Sequence, residues 1–316
     1  MLSSPRAALA KLRDLRNFLG GYPDNQRSAI FEYIVSKSFA YALGLPFFTA
    51  SDNHSALKRK VVWNGSLNPI SKAPPGPDCL VYCYSCNCVV EPTRREGAGQ
   101  WISEGAQLVR HAAETTTRFH WNHLNTYSIL VATKIAKDTF YNFHTNPGGL
   151  KIVLLEVEHL ISVLETSVLA FSMRPTELNG LMEEAINHLR VCPNLKSYRT
   201  CITGSISVWK HRILESEKYV FVGLKALKTM KDMNRVPPIG LGELYGRMSQ
   251  NNWVKHYLGL IEQSLDTQFI TESLTRQGFA YCQPGMHDTL VYPAVIEELI
   301  SRTSRIHEQL QMVGFQ

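Results

Sequence analysis

A chain of 316 residues is long enough to bury a full core and to divide into two domains. Its 44% apolar and 19% charged residues are those of a globular protein. No stretch approaches the roughly 20 apolar residues that a membrane span requires, and the basic N-terminus MLSSPRAALAKLRDLRNFLGG lacks the apolar core and cleavage site of a secretory signal. A soluble, cytoplasmic protein with no membrane partner is expected. The net charge of +6 and the pI of about 8.9 suit a polyanionic partner without requiring one.

The first predicted element is a helix from Pro23 to Gly44, where Ile30, Phe31, Ile34, Val35, Ser38, Phe39 and Ala42 recur at helical spacing and Gly44 supplies a stop. A loop rich in Gly, Pro, Asn and Ser follows over 64–77. Two short apolar runs, Cys79–Cys83 and Cys88–Glu91, are separated by a few residues around Ser85 and Asn87, which is a hairpin signal. The pattern turns helical from Gln100 to Phe119. Strand-like runs at 128–133 and 151–155, each followed by a helical stretch, then predict an α/β core with a mixed sheet. Pro175 and Pro237-Pro238 mark breaks in a mainly helical remainder. Helices over 241–250, 254–263 and 267–277, followed by two strands joined at Gln283-Pro-Gly, trace the outline of a winged helix.

Charge and cysteine spacing add less. The stretch from Lys196 to Arg235 carries nine Lys or Arg against Glu215, Glu217 and Asp232, the clustering that a phosphate-facing surface needs and that a solvated helix face also shows. Cys83-x-x-Cys86 with Cys88 invites zinc, but a closed site needs four ligands. The candidate second pair, Cys192 and Cys201, has an unusual spacing, so reduced thiols near a strand turn are the expectation. No phosphate-cradling G-x-x-x-x-G-K-[ST] loop is present.

The informative constellation is Pro77-Asp78, twelve residues, then Glu91-Pro92-Thr93. On the hairpin reading Asp78 opens the first strand and Glu91 closes the second, so both carboxylates face one cation. Mg²⁺ favours such a site, taking one or two carboxylates and filling its remaining positions with water and phosphate. Two carboxylates at strand ends also arise by chance in α/β proteins.

The run Pro77-Asp78…Glu91-x-Thr93 resembles the PD-(D/E)XK nuclease motif, with Thr in place of the usual Lys. Its continuation is more specific. Val90-Glu91-Pro92-Thr93, then Gly99-Gln100, Glu104-Gly105 and Val109-Arg110-His111, is similar to the catalytic block of the AlwI-like type IIS restriction and nicking endonucleases, as is the stretch from Ile129 through Asp138-Thr139 to Phe143. The resemblance runs from about Asp78 to Leu164. It implies Asp78 and Glu91 as metal ligands, with Thr93 unable to supply the positive charge of a lysine and Lys134 as a conceivable substitute. Gln100, Glu104, Gln107 and His111 fall at helical spacing on one face; Glu104 is expected to help hold metal, and Gln100 and His111 to contact phosphate or position water. Arg94, Arg95 and Arg110 are candidate phosphate contacts. Glu32 fits the acidic position that many nucleases of this fold carry on the preceding helix.

The expected organisation is a PD-(D/E)XK restriction-endonuclease-like α/β catalytic domain over 1–170, a basic helical segment over 171–236, and a winged-helix-like DNA-binding domain over 237–316. The third helix of that last domain would present Gln268, Glu272, Thr275, Arg276 and Gln277 to base edges. The expected activity is Mg²⁺-dependent, site-specific restriction-type cleavage of double-stranded DNA, by a homodimer, with a partner subunit or in two sequential encounters where both strands are cut. The rival expectations are a nuclease for modified, foreign or mobile-element DNA, an inactive nuclease-like DNA-binding protein, and a zinc-stabilised interaction protein.

Overall fold

The computed structural model describes residues 3–52, 57–66, 76–83, 86–121, 126–170, 175–234 and 237–293. Most of the loop expected over 64–77, and the turn at Ser85, lie outside them. The chain divides into two compact units, Met1–Ser167 with Met173–Lys210, and Val168–Ser172 with His211–Gln316. The segment 171–236 is thus shared between the units, which separate inside a long helix.

In the first unit, α1 (Pro5–Arg13), α2 (Leu15–Gly20) and α3 (Asp24–Leu43) precede a six-stranded sheet. Its strands are β1 (Phe47–Thr49), β2 (Lys60–Trp63), β3 (Cys79–Tyr82), β4 (Asn87–Thr93), β5 (Thr126–Ala132) and β6 (Lys151–Glu156), in that spatial order. The pairs β1–β2, β4–β5 and β5–β6 are parallel, whereas β2–β3 and β3–β4 are antiparallel, so the sheet is mixed. A π-helical turn (Trp101–Gly105) leads into α4 (Ala106–Phe119), and α5 (Lys137–Thr145) crosses from β5 to β6. After β6 come α6 (Val157–Leu169), α7 (Pro175–Val191) and α8 (Leu195–Asp232).

Strand β5 is buried along its whole length, as an interior parallel strand covered on both faces must be, and this is why it reads as a continuous apolar run. Helix α3 packs on β2, β3 and β4 and is buried on nearly every side from Ile30 onward. Its Ser36 and Ser38 hydroxyls return to the carbonyls of Glu32 and Ile34, which satisfies them without solvent. Gly44 ends α3 at φ 60°, a left-handed cap that lets the Leu45 N–H reach the Ala40 carbonyl.

The second unit holds the rest of α8, β7 (Ile239–Gly240), α9 (Leu241–Met248), α10 (Asn252–Leu260), α11 (Thr267–Arg276), β8 (Ala280–Pro284) and β9 (Thr289–Pro293). Its strands form a small sheet in the order β7-β9-β8. Tyr257 stacks on Phe221 at 3.8 Å between ring centroids. A Cβ at Gly223 would lie 2.7 Å from both the Phe279 ring and the Ser273 carbonyl, so only glycine permits this approach of α8 to α11. Among the described residues, no helix is long and apolar enough to cross a membrane.

Candidate active site

The register of the β3–β4 hairpin pairs Cys79 with Val90, which sets Asp78 directly opposite Glu91. The two carboxyls meet there. Asp78 gives Glu91 hydrogen bonds from both its backbone N–H and its carboxyl group. Glu91 is 2% exposed, and its Oε1 lies 2.7 Å from His111 Nδ1 on α4. On the far side of the ring, Arg110 Nη2 approaches His111 Nε2 at 3.4 Å. Arginine can only donate, so Nε2 is the acceptor and the ring proton sits on Nδ1, pointing at Glu91. Burial and the Arg110 charge lower the His111 pKa, which agrees with a neutral ring.

Two further carboxyls act on this pair. Glu32 comes from α3 and Glu104 from the π-helical turn. Burial pushes Asp78 up to about 9, helped by Glu91 and Glu104. Burial also raises Glu91 to about 8, with Glu104 and Glu32 adding to the shift against the stabilising bonds from Asp78. Glu32 rises to about 8 through burial, Asp78 and Glu104. Glu104 rises as well, chiefly through burial, with Ser103 and Arg95 opposing. Because Glu91 accepts three hydrogen bonds, it is the carboxylate best able to stay ionised, while Asp78 keeps the shared proton. All four carboxyls are raised chiefly by burial, and each offers oxygen atoms of the kind a hard divalent cation accepts.

Several sequence expectations change here. Gln100, Glu104, Gln107 and His111 do not share one face. The π-helical turn closes with the Ala106 N–H bonded to the Trp101 carbonyl, which inserts a residue into the helical count. Gln107 ends exposed, and Gln100 is fully buried elsewhere. The Gln100 amide donates to the Arg95 carbonyl at 2.6 Å and the Lys134 carbonyl at 2.9 Å, and accepts from the Ala136 N–H at 2.8 Å. It latches the loops after β4 and β5 and has no free group for phosphate. His111 likewise orients Glu91 instead of facing a phosphate. Gln100→Ala is expected to cost about 2–4 kcal/mol in urea unfolding, since three buried backbone groups lose their partner. Exposed Gln107→Ala should stay within about 0.5 kcal/mol. Near-native stability of Gln100→Ala would remove the latch.

Thr93 is buried on the same strand face as Glu91, and its hydroxyl accepts the Arg95 N–H at 3.0 Å. Lys134 is exposed and contributes its carbonyl to Gln100. Arg94 is half-buried, and Arg95 and Arg110 are exposed, all close to the carboxyls in the chain or through Glu104 and His111. In the second unit, Gln268 and Arg276 lie on an exposed face of α11, and both are held by Glu272, at 3.0 and 3.1 Å. The basic stretch after Lys196 is not a continuous phosphate-facing surface. Arg199, Lys210, Lys218 and Lys228 are paired with Glu156, Glu165, Glu215 and Asp232, and Lys225 is buried.

The mixed sheet and its paired acidic strand ends lie within the part of the chain that a family model matches. Residues 20–162, a little under half of the chain, match the family model described as AlwI restriction endonuclease. That segment runs from the approach to α3 into α6 and carries Glu32, Asp78, Glu91, Thr93, Glu104 and His111; over it the chain resembles the restriction endonucleases, a family of nucleases. Among solved structures, the chain is similar to the small subunit (R.BspD6I2) of the heterodimeric restriction endonuclease R.BspD6I. The identity is 18% and the TM-score 0.47, over 63% of this chain and 97% of that one. No curated protein matches.

Proposed function

We propose that this chain is a Mg²⁺-dependent DNA endonuclease of the site-specific restriction type. The observation that carries this reading is the meeting of Asp78 and Glu91 at paired strand ends, with Glu104 raising them both and Glu32 adding to the rise of Glu91. Asp78 and Glu91 would hold the cation, and Glu104 and Glu32 would deepen the negative potential around it. Hard oxygen donors suit Mg²⁺ better than a thiophilic metal. Mg²⁺, when bound, supplies stabilisation of phosphoryl charge and activation of water.

The chain's own groups do the positioning. His111 fixes the Glu91 carboxylate through Nδ1–H, and Arg110 fixes the His111 tautomer. Arg94 and Arg95, just beyond β4, would draw the DNA backbone toward the carboxyls. In the C-terminal unit, α9, α10 and α11 with the β7-β9-β8 sheet would act as a winged helix gripping double-stranded DNA, with α11 offering Gln268 and Arg276. Surface pairs such as those with Glu272 are weak enough to exchange for DNA contacts. One site cuts one strand, so double-strand cleavage would use a homodimer, a partner subunit or two encounters.

Thr93 favours one second reading. Its hydroxyl carries no charge and is already engaged by Arg95, so a DNA-binding protein without cleavage fits that position. Supercoiled plasmid incubated with Mg²⁺ or with EDTA decides between them. Nicked or linear product only with Mg²⁺ is the expected result, and discrete fragments from linear DNA would mark site-specific cutting. A smear would point to a nuclease for foreign or modified DNA. Folded protein that retains methylated and unmethylated DNA without cutting either would overturn the endonuclease in favour of the binding protein.

A further inference from the structure

Helices α7 and α8 form an antiparallel hairpin whose contacts can be followed residue by residue. At the open end, the Trp209 indole N–H donates to the Glu177 carbonyl at 2.9 Å. Nearer the turn, His188 Nε2 meets Ser205 Oγ at 2.8 Å. The turn itself is Pro193-Asn194, where the Asn194 side chain caps α8 by accepting the Ser197 N–H at 2.9 Å. The Cys192 N–H still bonds to the His188 carbonyl, so the helical backbone of α7 continues through Cys192. His188 and Cys192 are therefore one turn apart on one face, and that face looks onto Cys201.

The ligand-forming atoms of His188, Cys192 and Cys201 all lie within 4.8 Å of one another, the only such trio of His, Cys, Asp or Glu among the described residues. In a tetrahedral zinc site, with bonds of about 2.3 Å to sulfur and about 2.0 Å to nitrogen, neighbouring ligand atoms sit roughly 3.5–3.8 Å apart. The trio needs only small side-chain adjustments to reach that spacing. Cys192 is buried, whereas His188 and Cys201 are partly exposed, so a cation has a way in. Two thiolates would neutralise a divalent ion in this half-buried setting, and Ser205 steadies the imidazole as an outer partner.

From this geometry we infer that His188, Cys192 and Cys201 form a zinc site that staples the α7–α8 hairpin, with water as the fourth ligand. The site is separate from the carboxyls of the candidate active site in chemistry. Soft sulfur donors select zinc and related thiophilic ions, whereas the carboxyls select Mg²⁺. Binding exchanges the two thiol S–H bonds for two bonds from sulfur to zinc and releases the two protons to solvent, with no change of oxidation state. The inference does not rest on the endonuclease reading.

Cobalt substitution of the full chain, purified under reducing conditions, tests it. One equivalent of Co²⁺ per chain should give thiolate-to-cobalt charge transfer in the near ultraviolet and intense tetrahedral bands in the visible, which carboxylates do not produce. Zn²⁺ should displace the colour. Both signals should vanish in Cys201→Ser and in a Cys192→Ser/Cys201→Ser variant, and persist in Cys282→Ser. If a variant fails to fold, Cys83→Ser/Cys86→Ser locates the metal instead: it should keep both signals, and their loss there would overturn the site. Absence of charge transfer in the folded wild type, its survival in the double variant, or a Cys192–Cys201 disulfide in place of bound metal would each overturn the site.

Discussion

Asp78→Asn and Glu91→Gln should each lower plasmid cleavage by roughly 10²–10³-fold or more, because each deletes one charge that the proposed site directs at a cation. Loss of activity alone would not separate chemistry from misfolding, so stability is the second readout. The ordinary effect of removing a buried hydrogen-bonded carboxyl is destabilisation. Here burial, with Glu91 and Glu104, pushes Asp78 up to about 9, and an amide at this position replaces a group that is costly to ionise there. Asp78→Asn should therefore melt at or above the wild type in EDTA at pH 8 and lose the stabilisation that Mg²⁺ confers. Glu91→Gln should behave less favourably, since it also weakens the bond to His111 Nδ1. Cleavage by either variant within tenfold of the wild type would remove these carboxyls from the mechanism. A cleavage loss accompanied by collapse of the melting transition would leave them structural.

The metal-free protein should lose stability as pH rises, and Mg²⁺ should reverse the loss. Asp78 at about 9, and Glu91 and Glu32 at about 8, bind protons in the folded chain well above their ordinary values of 3.8 and 4.5. Between those limits the folded state holds more protons than the unfolded one, so this contribution to stability is full at low pH. It is lost as pH climbs through the folded values. In EDTA the melting temperature should fall by several degrees between pH 6 and pH 9, with one kcal/mol worth about 2–4 °C for a domain of this size. Mg²⁺ competes with those protons and should raise the melting temperature more at pH 9 than at pH 6. A flat or rising metal-free profile, together with an equal Mg²⁺ shift at both pH values, would show that the four carboxyls do not titrate as a cluster.

Much of the architecture was legible in the chain because local periodicity and turn chemistry agree with the fold. The helix ending at Gly44, the hairpin of β3 and β4, and the strands β5 and β6 all stand where their patterns put them. The hairpin carried the most information. Two short apolar runs with acidic residues at their outer ends leave one antiparallel register that buries both runs, and that register sets Asp78 opposite Glu91.

Other features depended on contacts between distant segments. Gln100 looked like a member of a polar stripe because a 3.6-residue count assumes an unbroken helix. The π-helical turn changes the count, and the carbonyls of Arg95 and Lys134, 5 and 34 residues away, capture its amide. His111 looked like a phosphate contact, yet its partner is Glu91, 20 residues away on another element. The basic stretch on α8 looked like one charged face until Glu156 and Glu165 arrived from β6 and α6 to pair with Arg199 and Lys210.

Cys192 and Cys201 show the division most clearly. By spacing they were an awkward second pair for Cys83 and Cys86, whereas the hairpin register of α7 and α8 gives them His188 instead. The sequence by itself determined the strands β3 to β6, the helix α3, the acidic strand ends and the family to which that block is similar, since these follow from residues close in the chain. Tertiary structure alone decided which polar side chains are consumed by buried backbone groups and which converge, because a buried donor or acceptor must find a partner wherever the packing brings one.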